Sequence, residues 1–287
     1  MHVDVNGVRL WFDVDGSGLV PDGSEMLERP TVVLVHGGPG VWDHSYFKPD
    51  FAPLTDHAQV VYLDLRAHGR SDWSDAAGWS LEACADDLRV FCDTVGLARP
   101  IVFGHSMGGP IVLLYGARHP GHAAGLIVQS GFARWDQRRV VEGFRRVAGD
   151  EVAEIARRSY AGEEVPEEQS SRVSAAFGPH VPDKEQGARP RKNLELNSPG
   201  MDVVRRTDIV NQLGRINAPT LVSVGELDPV TPVAAAEEIV AALTDGSAQL
   251  EVIAGAGHWA WKDASDRFWS MIVEFIDSTT RRERVEV

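Results

Sequence analysis

The chain opens on an alternation. Val3 and Val5 precede Asn6-Gly7, and Val8, Leu10, Phe12 and Val14 follow at every second position. Asn-Gly suits the left-handed positions of a tight turn, so this stretch predicts a β-hairpin. Residues 15–30 are rich in Gly, Asp, Ser and Pro and read as a loop. From Thr31 the pattern changes to short continuous apolar runs: TVVLV (31–35), QVVYLDL (59–65), PIVFGHS (100–106), AAGLIVQSG (123–131), PTLVSVGELD (219–228) and AQLEVIAGAGHW (248–259). Runs that are apolar at consecutive positions predict strands buried on both faces.

Helical patterns separate these runs. Residues 80–95 start at Ser80, a suitable N-cap, and stop before Gly96. Residues 110–119 place Pro110 at a helix start, and 232–243 and 263–277 predict two more helices. Strands alternating with helices imply a mostly parallel, twisted sheet with helices on both faces. One segment breaks the alternation. Residues 135–210 carry 13 basic and 14 acidic residues, with helical stretches such as RRVVEGFRRVAG and EVAEIARRSY and no strand-like run. A charge run of this kind is a solvated helical face. The expected organisation is therefore a core of residues 1–134 and 211–287 with a helical lid, 135–210, inserted between the fourth and fifth runs.

Length and charge narrow the function classes. At 287 residues the chain suits one α/β domain with an insertion, long enough to bury a large core. A formal net charge of −14 repels phosphate backbones and anionic bilayers, so neither a nucleic acid nor a membrane surface is an expected partner. No window approaches the ~18 apolar residues of a membrane span, and the N-terminus lacks the charge-then-apolar pattern of a signal peptide. A cytoplasmic setting is expected. Cys84 and Cys92 fall eight residues apart on one predicted helix. A rise of about 12 Å separates them, too far for a bridge. Two cysteines alone supply no zinc site and no disulfide framework. Neither a metal nor a cofactor is expected, because no ligand cluster or cofactor fingerprint is visible.

The chemistry concentrates in a few segments. Gly104-His105-Ser106-Met107-Gly108 matches G-x-S-x-G between a buried strand and a helix, the setting in which a strained turn exposes a nucleophilic hydroxyl. A serine needs a base. His258 lies after the last strand run, where the chain order nucleophile, acid, base puts it. The base needs a carboxylate to hold its tautomer. Asp228, leaving the fifth run, is the first choice; Glu226 and Asp136 are alternatives. An oxyanion needs backbone N–H donors, one from the residue after the serine, Met107, and one from the glycine loop after the first core strand. Gly38 is the choice there, with Gly37 as the alternative. Trp259 and Trp261 flank His258 and suit either a pocket wall or the core. The segment Asp64–Asp72 follows the second core strand; its Asp and Arg are expected to fix loops around the site by internal ion pairs, with substrate contact as the alternative.

Five motifs together resemble the α/β-hydrolase superfamily over nearly the whole chain: HGGPG at 36–40, D-x-R-x-x-G-x-S at 64–71, GHSMGG at 104–109, GELDPVTP at 225–232 and GAGHW at 255–259. The HGGPG loop is similar to that of the proline iminopeptidase branch. The resemblance implies an α/β-hydrolase fold with Ser106 as nucleophile, Asp228 as acid, His258 as base and Gly38 and Met107 as oxyanion donors. Two residues depart from that branch. Met107 stands where Trp commonly follows the serine, and Trp135 precedes Asp136 rather than the Glu whose carboxylate holds a substrate ammonium. Glu142, Glu163 and Glu164 are candidates for that role within the insertion. The expected function is therefore a serine hydrolase cleaving an ester, lactone or amide of a small substrate through an acyl-enzyme. An iminopeptidase-type aminopeptidase, a carbon–carbon bond hydrolase and a small-molecule receptor on the same fold are the alternatives. Epoxide and haloalkane hydrolysis need a carboxylate where Ser106 stands. Nothing in the sequence specifies an oligomeric state.

Overall fold

A computed structural model describes residues 1–73, 78–180, 184–244, 246 and 248–286. β1 (His2–Val5) and β2 (Val8–Asp15) pair antiparallel with Val5 opposite Val8. Asn6 and Gly7 both take positive φ, +47° and +78°, as the hairpin turn requires. The next stretch differs from the expected loop: β3 (Leu19–Asp22) and β4 (Glu25–Glu28) form a small separate hairpin. Its strands are four residues long and mostly exposed, so no buried face wrote an alternation into the sequence.

The rest follows the alternation. β5 (Thr31–Val35), β6 (Gln59–Leu63), α1 (Leu81–Thr94), β7 (Ile101–His105), α2 (Gly108–Arg118) and β8 (Gly125–Gln129) come first. Four helices follow: α3 (Gln137–Tyr160), α4 (Glu167–Ala175), α5 (Lys184–Ala188) and α6 (Leu194–Arg205). β9 (Thr220–Gly225), α7 (Val233–Ala242), β10 (Ala248–Ile253), α8 (Ala260–Asp263) and α9 (Ser265–Glu286) close the chain. The main sheet has eight strands in the order β1-β2-β6-β5-β7-β8-β9-β10, antiparallel at β1 and β2 and parallel from β6 onward. Every residue of β7, β8 and β9 is buried. β10 is the exception among the six runs: it pairs with β9 on one side only and leaves Val252 43% exposed. A run at the sheet edge looks the same in sequence as one in the middle.

Apolar cores lie on both faces. One gathers Leu88 and Phe91 of α1, Ile111 and Leu114 of α2 and Ile239 of α7. The other gathers Phe47, Phe51, Trp261 and, from α9, Phe268, Ile272 and Phe275. Each such side chain contributes roughly 1.5–3 kcal/mol on burial. Ser80 caps α1 as expected, its hydroxyl accepting from Ala83 N–H at 3.0 Å. Cys84 and Cys92 both lie buried on α1, and burial pushes both thiols up, Cys92 to about 12. They are packing residues.

The charges of α3 and α4 pair on the surface, Arg145 with Glu142 at 2.5 Å and Arg172 with Glu151 at 2.5 Å. Exposed pairs of this kind add little, because water screens them. What holds these helices is an apolar cluster of Val140, Phe144, Val152, Ile155 and Val173. Among the described residues no helix is long and apolar enough to cross a membrane. The sheet order and the helices on both faces are those of the α/β-hydrolase fold.

Candidate active site

Ser106 sits between the end of β7 and the start of α2 with φ +56°. A left-handed backbone costs a non-glycine residue about 1–2 kcal/mol, and such strain gathers at functional sites. The flanking glycines explain how the turn closes. A Cβ on Gly104 would lie 2.3 Å from the Gly108 carbonyl oxygen, and one on Gly108 2.4 Å from that of Val35. Helix and strand touch backbone to backbone here. Ser106 N–H donates to the Gln129 carbonyl at 3.1 Å, which ties the turn to β8.

The turn faces a cavity of about 460 Å³ whose wall includes Ser106, Met107, Gly37, Gly38 and His258 together with Trp42, Trp135, Tyr160, Phe177 and Trp259. Of the predicted triad and oxyanion residues, Ser106, Met107, Gly38 and His258 line this cavity and Asp228 lies behind it. His258 Nδ1 lies 2.8 Å from Asp228 Oδ2. Asp228 is fully buried and also accepts from Val230 N–H at 2.8 Å, Thr231 N–H at 3.0 Å and the Thr231 hydroxyl at 2.7 Å. Burial by itself would raise its pKa. The facing His258 ring and the Thr231 donors outweigh burial and hold the carboxyl below its ordinary value.

The alternative acids lie elsewhere. Glu226 is exposed and accepts from Gly255 N–H at 3.0 Å. Asp136 caps α3, accepting from Arg138 N–H at 2.9 Å. Within the glycine loop, Gly37 N–H is already donated to the Tyr46 hydroxyl at 3.0 Å, and Gly40 N–H to His68 Nε2 at 2.9 Å. Gly38 is the loop's lining glycine whose N–H has no partner among the described residues. Trp259 lines the cavity and stacks on Phe177, centroids 5.5 Å apart. Trp261 belongs to the core beneath, against Phe51 and Phe268. The segment Asp64–Asp72 braces loops as expected. Asp64 accepts from His44 N–H, His44 Nδ1 and Arg70 N–H at 2.7–2.9 Å, and Arg66 pairs with Asp87 on α1 at 2.5 Å. Glu142 and Glu163 turn outward to arginines, and among the described lining residues there is no Asp or Glu.

Several residues have no signal in the linear pattern. Tyr46 accepts from Gly37 N–H, so its own proton goes to His105 Nδ1 at 2.9 Å, and His105 Nε2–H donates to the His258 carbonyl at 3.0 Å. One buried chain thus joins the glycine loop, the residue before Ser106 and the backbone of His258. Replacing Tyr46 by Phe would leave Gly37 N–H and His105 Nδ1 unpaired in the interior. A loss of about 1–3 kcal/mol is expected, read by chemical denaturation; an unchanged midpoint would remove this chain as a brace. Asp263 is a second missed residue. Its carboxylate accepts from Gly257 N–H at 2.7 Å and from His180 N–H at 2.8 Å, which pins the His258 loop to the segment after α4. That segment also accepts His258 N–H through the Phe177 carbonyl at 2.7 Å. The contact is backbone to backbone, because a Cβ on Gly257 would lie 2.3 Å from Gly178 Cα.

Three histidines in and around the site are buried and neutral. Burial drives His36 below its ordinary value, His68 to about 3 and His105 well below it. A depressed folded value means the unfolded chain binds more protons, so their stabilisation is present above the unfolded value near 6.5 and is lost as pH falls toward the folded values. A loss of about 1.4 kcal/mol per pH unit from each titrating histidine is expected below pH ~6.5. Thermal denaturation from pH 8 to 4 checks this. A Tm flat across pH 6.5–4.5 would contradict it.

Residues 28–265 match the family model described as serine aminopeptidase, S33. The chain belongs to that family of α/β-hydrolases. Over 270 residues it is 27% identical to the proline iminopeptidase of Saccharolobus solfataricus, covering 86% of this chain and 84% of that protein. It is 26% identical over 254 residues to a 2-hydroxy-6-oxononadienedioate/2-hydroxy-6-oxononatrienedioate hydrolase of Dechloromonas aromatica, covering 86% of each. The enol-lactonase structure from Burkholderia xenovorans LB400 superposes with a TM-score of 0.70 at 21% identity, over 96% of this chain and all of that one. That last likeness speaks to the fold.

Proposed function

We propose that this member of the serine aminopeptidase family is a serine hydrolase cleaving an ester or lactone bond of a small substrate. The observation that carries the reading is a strained Ser106 sharing one cavity with His258, whose other ring nitrogen is held by a buried carboxylate. Ser106 Oγ attacks the carbonyl carbon while His258 Nε2 takes its proton. The Asp228 contact keeps the other proton on Nδ1 and stabilises the imidazolium. The N–H groups of Met107 and Gly38 receive the developing oxyanion; the bond from Gly37 N–H to Tyr46 favours Gly38 over Gly37. His258 then protonates the leaving alkoxide, an acyl-Ser106 ester remains, and water deprotonated by His258 releases the acid. The helices of residues 135–210 act as the lid, since Trp135, Tyr160 and Phe177 roof the cavity and reduce water at the reacting carbonyl.

The peptidase relative and the HGGPG loop favour an aminopeptidase as the second reading. An N-terminal ammonium needs a carboxylate partner on desolvation, and the described lining supplies none. Ester or lactone cleavage therefore ranks first. The test compares kcat/KM for 4-nitrophenyl acetate and butyrate with that for prolyl-4-nitroanilide, each against Ser106→Ala. Ester turnover lost in the variant, with little anilide turnover, is expected. Dominant Ser106-dependent anilide turnover would replace this reading with the aminopeptidase.

A further inference from the structure

We infer that the substrate carries a free carboxylate paired with Lys192. The inference rests on the serine hydrolase reading and names the substrate class of that site. Lys192 is the one charged side chain among the described lining residues of the cavity, and it is exposed, so it stands where the cavity meets solvent. Among the described residues no hydrogen bond or ion pair involves its ammonium. Its backbone, by contrast, is held on both sides. Arg191 N–H donates to the buried Asp43 carboxylate at 2.8 Å, and Asn193 N–H to the Gly40 carbonyl at 2.8 Å. Asn193 Nδ2 adds a bond to the Ala67 carbonyl at 3.0 Å. A lysine free to sweep the surface would say little. This one starts from a backbone docked on the glycine loop that supplies the oxyanion donor.

The rest of the wall favours the same sign. Most of it is apolar or aromatic, and no lining residue described is acidic. Asn197 Nδ2 already donates to the Pro39 carbonyl at 3.0 Å. Trp135, also on the wall, has a buried indole N–H without a partner. Lys192 and the Trp135 indole are thus free donors on this wall, which an ester carbonyl and a carboxylate match. The chain's net charge of −14 gives an anion no long-range attraction. Discrimination has to arise locally, at Lys192.

The test uses a matched pair, the mono-4-nitrophenyl ester of glutaric acid and 4-nitrophenyl pentanoate, which differ in a terminal carboxylate against a methyl. A charge-assisted contact at a half-open site corresponds to roughly a tenfold preference in kcat/KM for the acid. Lys192→Met is expected to abolish that preference, because the methionine keeps the apolar stem and removes only the charge. Lys192→Arg is expected to retain it. Ser106-dependent turnover of both esters with a preference that Lys192→Met does not change overturns the carboxylate assignment and leaves the serine hydrolase standing. Calorimetry with glutarate needs no turnover and separates the two ideas. Weaker glutarate binding by Lys192→Met supports the assignment even if no ester is cleaved, and equal binding overturns it.

Discussion

Ser106→Ala is expected to lower kcat/KM for a cleaved ester by roughly 10⁴–10⁶-fold, leaving the activity that oxyanion donors and binding supply without a nucleophile. The loss belongs in kcat, because the cavity wall is otherwise intact. The fold offers an independent control. Ser106 holds φ +56°, and alanine inherits that strain. Ser106→Gly relieves about 1–2 kcal/mol of it and gives back roughly 0.5–1 kcal/mol through greater unfolded-chain freedom. The glycine variant should therefore be as inactive as the alanine variant and unfold at a higher temperature than it. Full turnover by either would move the nucleophile elsewhere. Equal loss of activity with no thermal advantage for glycine would deny that the turn is strained.

The second large effect is expected from Asp228→Asn, a fall of roughly 10⁴-fold in kcat. The amide keeps an oxygen for Val230 and Thr231 N–H, so the loop stays folded. Its NH₂, however, faces His258 Nδ1, which now accepts. The ring proton shifts to Nε2, and the histidine can no longer take a proton from Ser106. Glu226→Gln is the control, because Glu226 contacts Gly255 N–H on the exposed side of the loop. It should keep activity within about twofold, as surface changes away from such features do. A collapse of kcat in Glu226→Gln with an active Asp228→Asn would reverse the assignment of the acid. Since the Asp228 pKa is lowered in the folded state, its stabilising contribution is present above the ordinary carboxylate range and disappears as pH falls through the lowered value. The asparagine variant should lose that part of the acid dependence.

How much of this was readable from the chain follows from what kind of constraint each feature obeys. The β1–β2 hairpin, the parallel runs and the Ser80-capped helix were readable because each depends on neighbours in sequence: a turn that needs Asn-Gly, consecutive apolar positions, a hydroxyl three residues before an N–H. Ser106 was readable for the same reason, since the glycines that let strand and helix meet are two residues to either side. The choice among Asp228, Glu226 and Asp136 was only ranked by chain order. In space the three differ sharply, with one facing His258 Nδ1 and the others on a loop exterior and a helix cap.

Contacts between segments far apart in the chain emerge only on folding. Tyr46, His105 and the His258 carbonyl form one chain across more than 200 residues, and nothing local marks Tyr46 as a partner of Gly37. Asp263 reaches His180, and Lys192 is placed by Asp43 and Gly40. The β3–β4 hairpin and the edge position of β10 were hidden because one lacks a buried face and the other shares the apolar pattern of central strands. Local sterics and periodicity are written in the order of residues, and so the elements and the candidate nucleophile could be read from the chain. Desolvation and charge pairing depend on which distant side chains the sheet brings together, and so the partner of His258, the freedom of Gly38 and the sign of the cavity were decided only by the folded chain.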